Sequence, residues 1–369
     1  MKKLLSLLLI LFTSCIFTNR DEKLTRIVLN STSDINLKFE YPLEKISDSV
    51  VPIPLETNDQ CLIKEITDIQ ESKGFLWIVS DGKLYQFTSN GRFVKMIGTV
   101  GQGPEEYISV WDMQVNNQQE QVVILDYFGR KIMTYNFDGQ LLSAQSLPEG
   151  YAYNAIYGKG SNLYLYSISN SVFPDLLLYK GNQHSDTISI SERTMGKEGF
   201  LGNTFMYGVN DETGLYHYFN DTIYRVQDNK LVPKYLLDLG KLKYSFAETE
   251  LGEDFNPKLK IAGSRLQVTD CYETSDYLFL HYMLNEYEGV KSVSFLFLYD
   301  KNSGIKYDHV NLVYSGIPEF SIRNGKKIKY SDYSNSLFAS FQIEEIKHFS
   351  EKIGAEITDN PVIVKYHLK

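Results

Sequence analysis

The sequence has little of what most metal and catalytic sites are made from. It contains 3 Cys and 6 His in 369 residues, and no two histidines have the spacing of zinc ligands, which argues against a catalytic zinc site. The G-x-S-x-G elbow of serine hydrolases is also missing, although a triad can assemble from distant positions. Cys61 and Cys271 fall in units of the chain that are not adjacent, so we predict two separate buried thiols rather than a disulfide.

Basic clusters and long apolar runs are missing as well. The formal net charge is −9, and an acidic chain without a basic cluster is a poor nucleic-acid binder, so no nucleic-acid partner is predicted. The apolar run at residues 4–12 is shorter than the roughly 20 residues that cross a bilayer. It follows Lys2 and Lys3 and precedes Cys15, which is the order of a signal peptide and a lipobox.

We therefore predict that residues 1–14 are a signal peptide and that Cys15 becomes a lipidated N-terminus. Residues 15–47 are predicted to tether the lipid to a domain at residues 48–369. Ordinary secretion with a chance cysteine is the alternative. The residues after Cys15 lack the acidic run of surface-exported lipoproteins. The predicted location is thus the cell envelope, as an outer-membrane lipoprotein that faces the periplasm and touches the membrane through its lipid alone.

The most informative feature is a unit that occurs twice, at residues 85–94 and 133–142. Each copy reads as a strand, an Asn-Gly or Asp-Gly turn and a second strand. A period of about 40–50 residues marks propeller blades, which stack because one small sheet cannot bury both of its faces. An aromatic content of 14% also favours an all-β fold. Five blades are predicted at residues 66–100, 110–147, 153–190, 205–239 and 266–308.

Closure of the ring can be predicted from two prolines. Pro52 and Pro54 lie in a strand-like segment, residues 50–55, and neither can donate to a ladder, so this segment belongs at the edge of a sheet. Its predicted partner is residues 361–368, which gives a sixth blade built from both ends of the domain. The remaining parts of that blade are predicted at residues 309–316 and 337–341, with a short helix at residues 344–353.

Four short segments carry a family resemblance. They are residues 52–57 (PIPLET), 98–107 (GTVGQGPEEY), 221–224 (DTIY) and 360–362 (NPV). These segments resemble the six-bladed β-propeller lipoproteins of Bacteroides-type bacteria, which have NHL-like repeats. The loop at residues 98–107 is the most specific of them, and Glu105 stands where that family usually has glycine. The resemblance implies a six-bladed ring on an outer-membrane lipid anchor, in a family without an agreed biochemical activity.

Polar side chains stand near the start of four predicted inner strands: Asp68, Asp112, Asn154 and Asp270. In a propeller these starts surround one mouth of the central channel, so the four side chains would form a broken ring of ligand-binding oxygens. Such a ring, completed by waters, could supply the roughly 6–8 oxygen ligands that Ca²⁺ takes. The alternative is that each side chain only hydrogen-bonds the backbone of its own turn.

Aromatic residues cluster near the ends of the second and third predicted blades. Trp111, Tyr127, Phe128, Tyr151 and Tyr153 fall where loops gather at one face of a propeller. Sugar-binding surfaces use aromatic platforms with carboxylate or amide partners, so Trp111 and Tyr153 are candidate ligand-binding residues. Packing between blades is the alternative, because aromatic residues are abundant throughout the chain.

The function predicted from these features is non-enzymatic. A monomeric propeller would bind an unidentified glycan, peptide or envelope protein, in a setting such as an outer-membrane nutrient-uptake system, with no cofactor unless calcium binds the channel. The alternative is a metal-dependent hydrolase or lactonase, since six-bladed propellers host such enzymes. Those enzymes hold one Ca²⁺ with Glu, Asn and Asp, and no Glu stands at the start of a predicted inner strand.

The lipid-anchor hypothesis predicts the behaviour of a single variant. Cys15→Ala should release the protein from membranes, because no other segment is apolar enough to hold it. The measurement is fractionation of cells after a carbonate wash. Retention of the variant in the membrane pellet would contradict the anchor, and protease shaving of intact cells would distinguish the two membrane faces.

Overall fold

The chain forms an all-β, six-bladed propeller, the fold class predicted from the sequence. The computed structural model describes residues 24–29, 39–149, 152–168, 174–180, 183–190, 204–209, 212–217, 220–243, 265–284, 293–323, 325–346 and 359–369. The predicted signal peptide and Cys15 lie outside these residues. Across the described ranges, no helix combines the length and apolar character needed to cross a membrane.

The strands up to the end of the fifth blade are, in chain order, β1 (Thr25–Val28), β2 (Phe39–Pro42), β3 (Ser47–Pro54), β4 (Ile66–Ser72), β5 (Phe75–Ser80), β6 (Lys83–Thr88), β7 (Phe93–Ile97), β8 (Val110–Asn116), β9 (Gln121–Asp126), β10 (Lys131–Asn136), β11 (Leu141–Ser146), β12 (Ala152–Lys159), β13 (Asn162–Ile168), β14 (Pro174–Lys180), β15 (Gln183–Ser189), β16 (Phe205–Val209), β17 (Glu212–Tyr216), β18 (Thr222–Gln227), β19 (Lys230–Asp238), β20 (Gln267–Glu273), β21 (Tyr277–Leu284), β22 (Val293–Asp300) and β23 (Lys306–Tyr307). The remaining strands are β24 (Val310–Val313), β25 (Ile328–Ser331), β26 (Ser336–Phe341) and β27 (Val362–Leu368). Short helical segments are the 3₁₀ turns Leu43–Lys45, Gly240–Leu242 and Pro318–Phe320 and the helix α1 (Ile343–Ile346).

Blades one to five are antiparallel meanders of four consecutive strands each: β4–β7, β8–β11, β12–β15, β16–β19 and β20–β23. Strand β1 extends the fourth blade by pairing in parallel with β19. Strand β2 pairs in parallel with β24 in a separate two-stranded sheet. Two pieces of the segment predicted as a tether therefore lie on the propeller as strands.

The sixth blade has the order β25-β26-β27-β3, so the ends of the domain close the ring as predicted. Val362 pairs with Pro54 and Val364 with Pro52, and β3 is the outermost strand, which suits residues that cannot donate. One part of the prediction was wrong: the innermost strand is β25, whereas the strand within residues 309–316 pairs with β2. Of the helix predicted at residues 344–353, α1 covers the beginning, and residues 347–358 lie outside the described residues.

The hairpin turns depend on residues that tolerate positive φ. Gly91, Gly139, Asn229 and Gly304 all have φ between 54° and 84°. Gly91 and Gly139 are the glycines of the Asn-Gly and Asp-Gly turns predicted from the repeated unit. At Gly91 the packing adds a second requirement, because a Cβ atom there would come within 2.0 Å of the carbonyl oxygen of Pro54. The first blade thus packs closely against the closing strand β3.

The resemblance motif at residues 360–362 fixes the connection between β3 and β4. Asn360 is 2% exposed. Its side-chain amide donates to the carbonyl oxygens of Glu56 and Cys61, at 2.7 and 2.6 Å, and its side-chain oxygen accepts from the amide of Ile63 at 2.7 Å. A buried amide that satisfies three backbone groups holds the sixth blade to the first.

The apolar core lies between neighbouring blades rather than inside any one of them. Trp77 of blade one packs in one cluster with Met113 of blade two, and Leu125 of blade two packs with Leu165 of blade three. Each blade therefore depends on its neighbours for burial of both faces. Cys61 and Cys271 are both buried and free, which confirms two separate thiols.

A buried ion pair spans the seam between blades six and one. The Lys365 ammonium on β27 lies 2.8 and 2.6 Å from the two carboxylate oxygens of Glu71 on β4, and each residue is 8% exposed. Breaking such a pair leaves a buried charge without its partner, which typically costs about 3–5 kcal/mol.

We predict that Lys365→Met lowers the free energy of unfolding in urea by about 3 kcal/mol or more. Glu71→Leu combined with Lys365→Met should recover most of this loss, because no buried charge remains. The control is Lys73→Met, which breaks the exposed pair with Glu120 and should cost less than about 1 kcal/mol. Equal losses in Lys365→Met and Lys73→Met would contradict a role for the buried pair in closing the ring.

Candidate functional site

The central channel is lined by the innermost strand of each blade. A cavity of about 520 Å³ extends inward from the end at which these strands begin, and residues of β4, β8, β12, β16, β20 and β25 contribute to its walls. We call this end the near mouth. A second cavity of about 450 Å³ is lined mainly by residues at and beyond the other ends of these strands. The four polar candidates from the sequence, Asp68, Asp112, Asn154 and Asp270, all line the first cavity.

A β-bulge at the start of four inner strands shapes the near mouth. The register of pairing skips one residue in each strand, and the skipped residues are Thr67, Trp111, Asn154 and Thr269. All four line the cavity, which agrees with the tendency of bulges to redirect side chains near sites. Asn154 is therefore equivalent to Trp111 rather than to the aspartates, and Ala155 stands where the other three bulged strands have Asp.

The three aspartates share one local hydrogen bond. Each accepts from the backbone amide of the next residue, at 2.9 Å for Asp68, 2.8 Å for Asp112 and 3.0 Å for Asp270. This is the backbone bonding that the sequence analysis gave as the alternative. It does not account for the second oxygen of each carboxylate.

The second oxygens of Asp112 and Asp270 connect their blades to the next one around the ring. The carboxylate of Asp112 accepts from the amide of Ile156 in blade three at 2.7 Å. Asp270 accepts from the Lys329 ammonium in blade six at 3.0 Å. Each aspartate thus joins adjacent blades at the channel wall, in addition to bonding its own strand.

Asp68 reaches the next blade through an intermediate amide. Its second oxygen lies 3.4 Å from the side-chain nitrogen of Gln70. Gln70 in turn donates to the carbonyl oxygen of Met113 at 2.7 Å and accepts from the amide of Val115 at 2.9 Å, both in blade two. Asp68 therefore has neutral hydrogen-bond donors around it, and no cation is within ion-pair distance among the described residues.

Lys329 is the functional candidate that the sequence analysis missed. Its side chain is 32% exposed, and that of Asp270 beside it is 11% exposed, so both face channel water within walls of protein. Enclosure alone would lower the pKa of Lys329, but attraction to Asp270, Asp68 and Asp112 outweighs it and raises that pKa above its ordinary value. The near mouth therefore stabilises an ammonium group.

The same enclosure disfavours the charged forms of Asp112 and Asp68. Removal from bulk water, followed by repulsion from Asp68, raises the pKa of Asp112 to about 7, against the effect of its two amide donors. Enclosure also raises the pKa of Asp68. Within the part of the chain that the structure describes, no three His, Cys, Asp or Glu side chains are arranged to hold a metal ion. The ammonium of Lys329 stands among the carboxylates that the sequence analysis considered for calcium.

Three aromatic side chains form an exposed surface at the near mouth, which we call the aromatic shelf: Trp111, Tyr127 and Phe128. The ring centroids of Trp111 and Tyr127 are 4.9 Å apart, and those of Tyr127 and Phe128 are 5.3 Å apart. Trp111 is 47% exposed and Phe128 60% exposed. Because Trp111 also lines the cavity, the shelf is continuous with the channel.

A single hydrogen bond fixes the orientation of Trp111. Its indole nitrogen donates to the carbonyl oxygen of Asn154 at 3.0 Å. Tyr153, the other aromatic candidate, does not belong to the shelf: it is 2% exposed and packs in the core between blades two and three. It precedes the bulge, so its side chain enters the blade interface, where its hydroxyl donates to the carbonyl oxygen of Pro148 at 3.1 Å. Tyr151 lies outside the described residues.

Comparisons with known proteins agree with the fold. Residues 26–367 match a protein family that is described as a domain of unknown function, DUF4934. The chain is similar to the structure of a protein of Bacteroides fragilis NCTC 9343 named as exported, with 21% identity and a TM-score of 0.66, covering 94% of this chain and 100% of that one. It is also similar to a DUF4221 family member from Bacteroides vulgatus ATCC 8482, with 11% identity and a TM-score of 0.52, covering 88% and 97%. No curated protein matches the sequence. At these identities the structural likeness shows the fold alone.

The raised pKa of Asp112 predicts a pH dependence of stability. Its pKa is about 7 in the folded protein and about 4 in an unfolded chain. Between these values the folded state holds a proton that the unfolded state does not, so this contribution to stability is complete below about pH 4 and lost as the pH rises through about 7. Asp112→Asn should remove it, so the variant should lose most stability relative to the parent at low pH and least near neutral pH.

The measurement is urea unfolding of parent and variant at several pH values across that window. The control is Asp59→Asn, because Asp59 is exposed and lines neither cavity of the channel. We expect the control to follow the parent curve. A constant difference between Asp112→Asn and the parent at every pH would contradict the raised pKa.

Proposed function

Because this chain belongs to the DUF4934 family, a domain of unknown function, we propose from its site that it is a ligand-binding module of the cell envelope. The observation that carries the proposal is the continuity of the aromatic shelf with the charged cavity at the near mouth. Ligand sites combine an apolar surface with a few placed polar groups in a concave region. The near mouth has both, and it opens to solvent.

The exposure of the shelf supports a binding role. Trp111 and Phe128 are large apolar side chains, and each leaves about half of its surface in water. Flat exposed aromatics offer a ligand contact area at a low cost in conformational entropy, since few torsions need to be fixed. The hydrogen bond from Trp111 to Asn154 already holds one ring in place. The ligand classes that suit such a surface are sugars and peptides.

The cellular setting in this proposal follows from the N-terminal sequence and from one structural neighbour. The order of basic residues, apolar run and Cys15 suits an outer-membrane lipoprotein. A similar protein of Bacteroides fragilis is named as exported. A lipid-anchored propeller that faces the periplasm would hold its ligand beside an outer-membrane uptake system. Nothing in the comparisons favours the hydrolase alternative.

We expect Trp111→Ala combined with Phe128→Ala to abolish ligand binding without unfolding the protein, because both side chains are exposed. Ligands would be identified with glycan and peptide arrays and measured by calorimetry. Tryptophan fluorescence gives a local signal, since Trp111 is exposed and Trp77 is fully buried. The control is Tyr333→Ala, an exposed aromatic outside the shelf. Unchanged affinity in the double variant would contradict a site on the shelf.

A further inference from the structure

We propose that the near mouth recognises a primary ammonium group of its ligand, with the adjoining ring or apolar part of the ligand on the aromatic shelf. This inference rests on the proposed binding function and names the chemical class of the ligand. Three observations support ammonium recognition: the excess of carboxylates in the cavity wall, the hydrogen bonds that each carboxylate accepts, and the position of Trp111 beside Asp112.

Carboxylates outnumber ammonium groups at the near mouth. The cavity is lined by five carboxylates, those of Asp68, Glu71, Asp112, Asp270 and Asp332, and by the ammonium groups of Lys327 and Lys329. Glu71 is paired with Lys365. Lys329 donates to Asp270, and Lys327 is exposed to solvent. Asp68 and Asp112 accept hydrogen bonds only from neutral donors. The cavity wall therefore carries a net negative charge. An anionic ligand would be repelled there, and an added cation would be attracted.

The hydrogen bonds of Asp68 and Asp112 leave them able to bind a cation. Asp112 accepts from two backbone amides and Asp68 from one amide and one distant glutamine. A carboxylate has about four lone-pair positions, so each still has acceptor capacity. Hydrogen bonds between an ammonium and a carboxylate are shorter and stronger than those between neutral groups. A ligand ammonium would therefore gain directly from this pair.

The ammonium of Lys329 is already held by these carboxylates in the way proposed for the ammonium of a ligand. Its ammonium is held by Asp270 and attracted by Asp68 and Asp112, which keeps it protonated despite its enclosure. The same carboxylates repel each other, and that repulsion contributes to the raised pKa of Asp112. A second cation between Asp68 and Asp112 would reduce the repulsion between these two carboxylates. Binding at about neutral pH should then release a proton from Asp112.

The aromatic shelf adds a contact that favours a cation over a neutral group. Trp111 directly precedes Asp112 in β8 and lines the same cavity. Indole is the best of the aromatic faces for cation–π contact, which strengthens when water is excluded. Tyr272 is another polar group of this wall: it is 4% exposed, and its hydroxyl has no hydrogen-bond partner among the described residues.

The ammonium could come from an amino sugar or from a peptide, and matched pairs of compounds separate these sources. The first pair is glucosamine and N-acetylglucosamine. The second is a short peptide with a free lysine side chain and blocked ends, and the same peptide acetylated on that lysine. Within each pair the shape is similar, and acetylation removes the charge. Calorimetry at about pH 7 and low salt, where surface charges are least screened, measures all four compounds.

We expect at least one amine to bind about tenfold or more tightly than its acetylated partner, as charged hydrogen bonds predict. Its affinity should fall with added salt, and calorimetry in buffers of different ionisation enthalpy should show proton release. Asp68→Asn should remove most of the preference for the amine, since it keeps an oxygen for the amide of Ile69. Asp59→Asn, an exposed control, should leave it unchanged. If Asp68→Asn fails to fold, Asp112→Asn tests the same charge and should also abolish proton release.

The outcomes separate this inference from the proposed function. Equal affinity of amine and acetylated partner in both pairs, lost together when Trp111 is replaced, would overturn ammonium recognition and leave the binding function intact. Amine preference that persists in both aspartate variants would also overturn it. Failure of all four compounds to bind at millimolar concentration overturns the inference, while a ligand found on the arrays that depends on Trp111 would still support the function.

Discussion

Pairing of β27 with β3 is the interaction on which the rest of the structure depends. Each blade is a small sheet that buries its faces only against its neighbours, so an open ring would expose two of them. The closing blade joins strands from both ends of the domain, and the buried pair of Lys365 with Glu71 secures the seam. The same pairing holds β25 in place through β26, and β25 carries Lys329 to the channel. The strands that close the ring therefore also place Lys329 beside the carboxylates of the near mouth.

The aspartates of the inner strands have two roles, one in joining the blades and one in the proposed ligand site. The aspartates at the near mouth connect adjacent blades through backbone amides and the Lys329 ammonium. They also place negative charge on the wall of a cavity that opens onto exposed aromatic rings. Structural use of one carboxylate oxygen does not consume the acceptor capacity of the group. A candidate site can thus occupy positions that the fold itself requires, which explains why bonding to the backbone and binding of a ligand are compatible here.

Local signals in the sequence were sufficient for the fold. The Asn-Gly and Asp-Gly turns predicted the hairpins, and Pro52 and Pro54, which cannot donate to a ladder, predicted an edge strand. Both effects are set by the backbone alone. The inner strand β25 was not predicted from the sequence. Lys329, the one lysine of β25, lines the channel, so residues 328–331 lack the apolar pattern of a buried strand.

The site was only partly predictable for a related reason. The aspartates could be aligned at the starts of the predicted inner strands. A bulge, however, inserts one residue and leaves no mark in the sequence, so the alignment of Asn154 with them is one position off. The same offset sends Tyr153 into the core and Trp111 to the surface. Lys329 belongs to a different blade from the carboxylates it meets, and contacts of that kind follow only from the closed ring.

The central claim is that the carboxylates of the near mouth hold an ammonium group, and side-chain NMR of protein labelled with ¹⁵N-lysine tests it most directly. An ammonium enclosed by Asp270, Asp68 and Asp112 should give a slowly exchanging signal at about neutral pH, and it should stay protonated above the usual lysine pKa of about 10.4. Loss of that signal in Lys329→Gln would assign it. A Lys329 ammonium that exchanges and titrates like the exposed lysines would contradict the account.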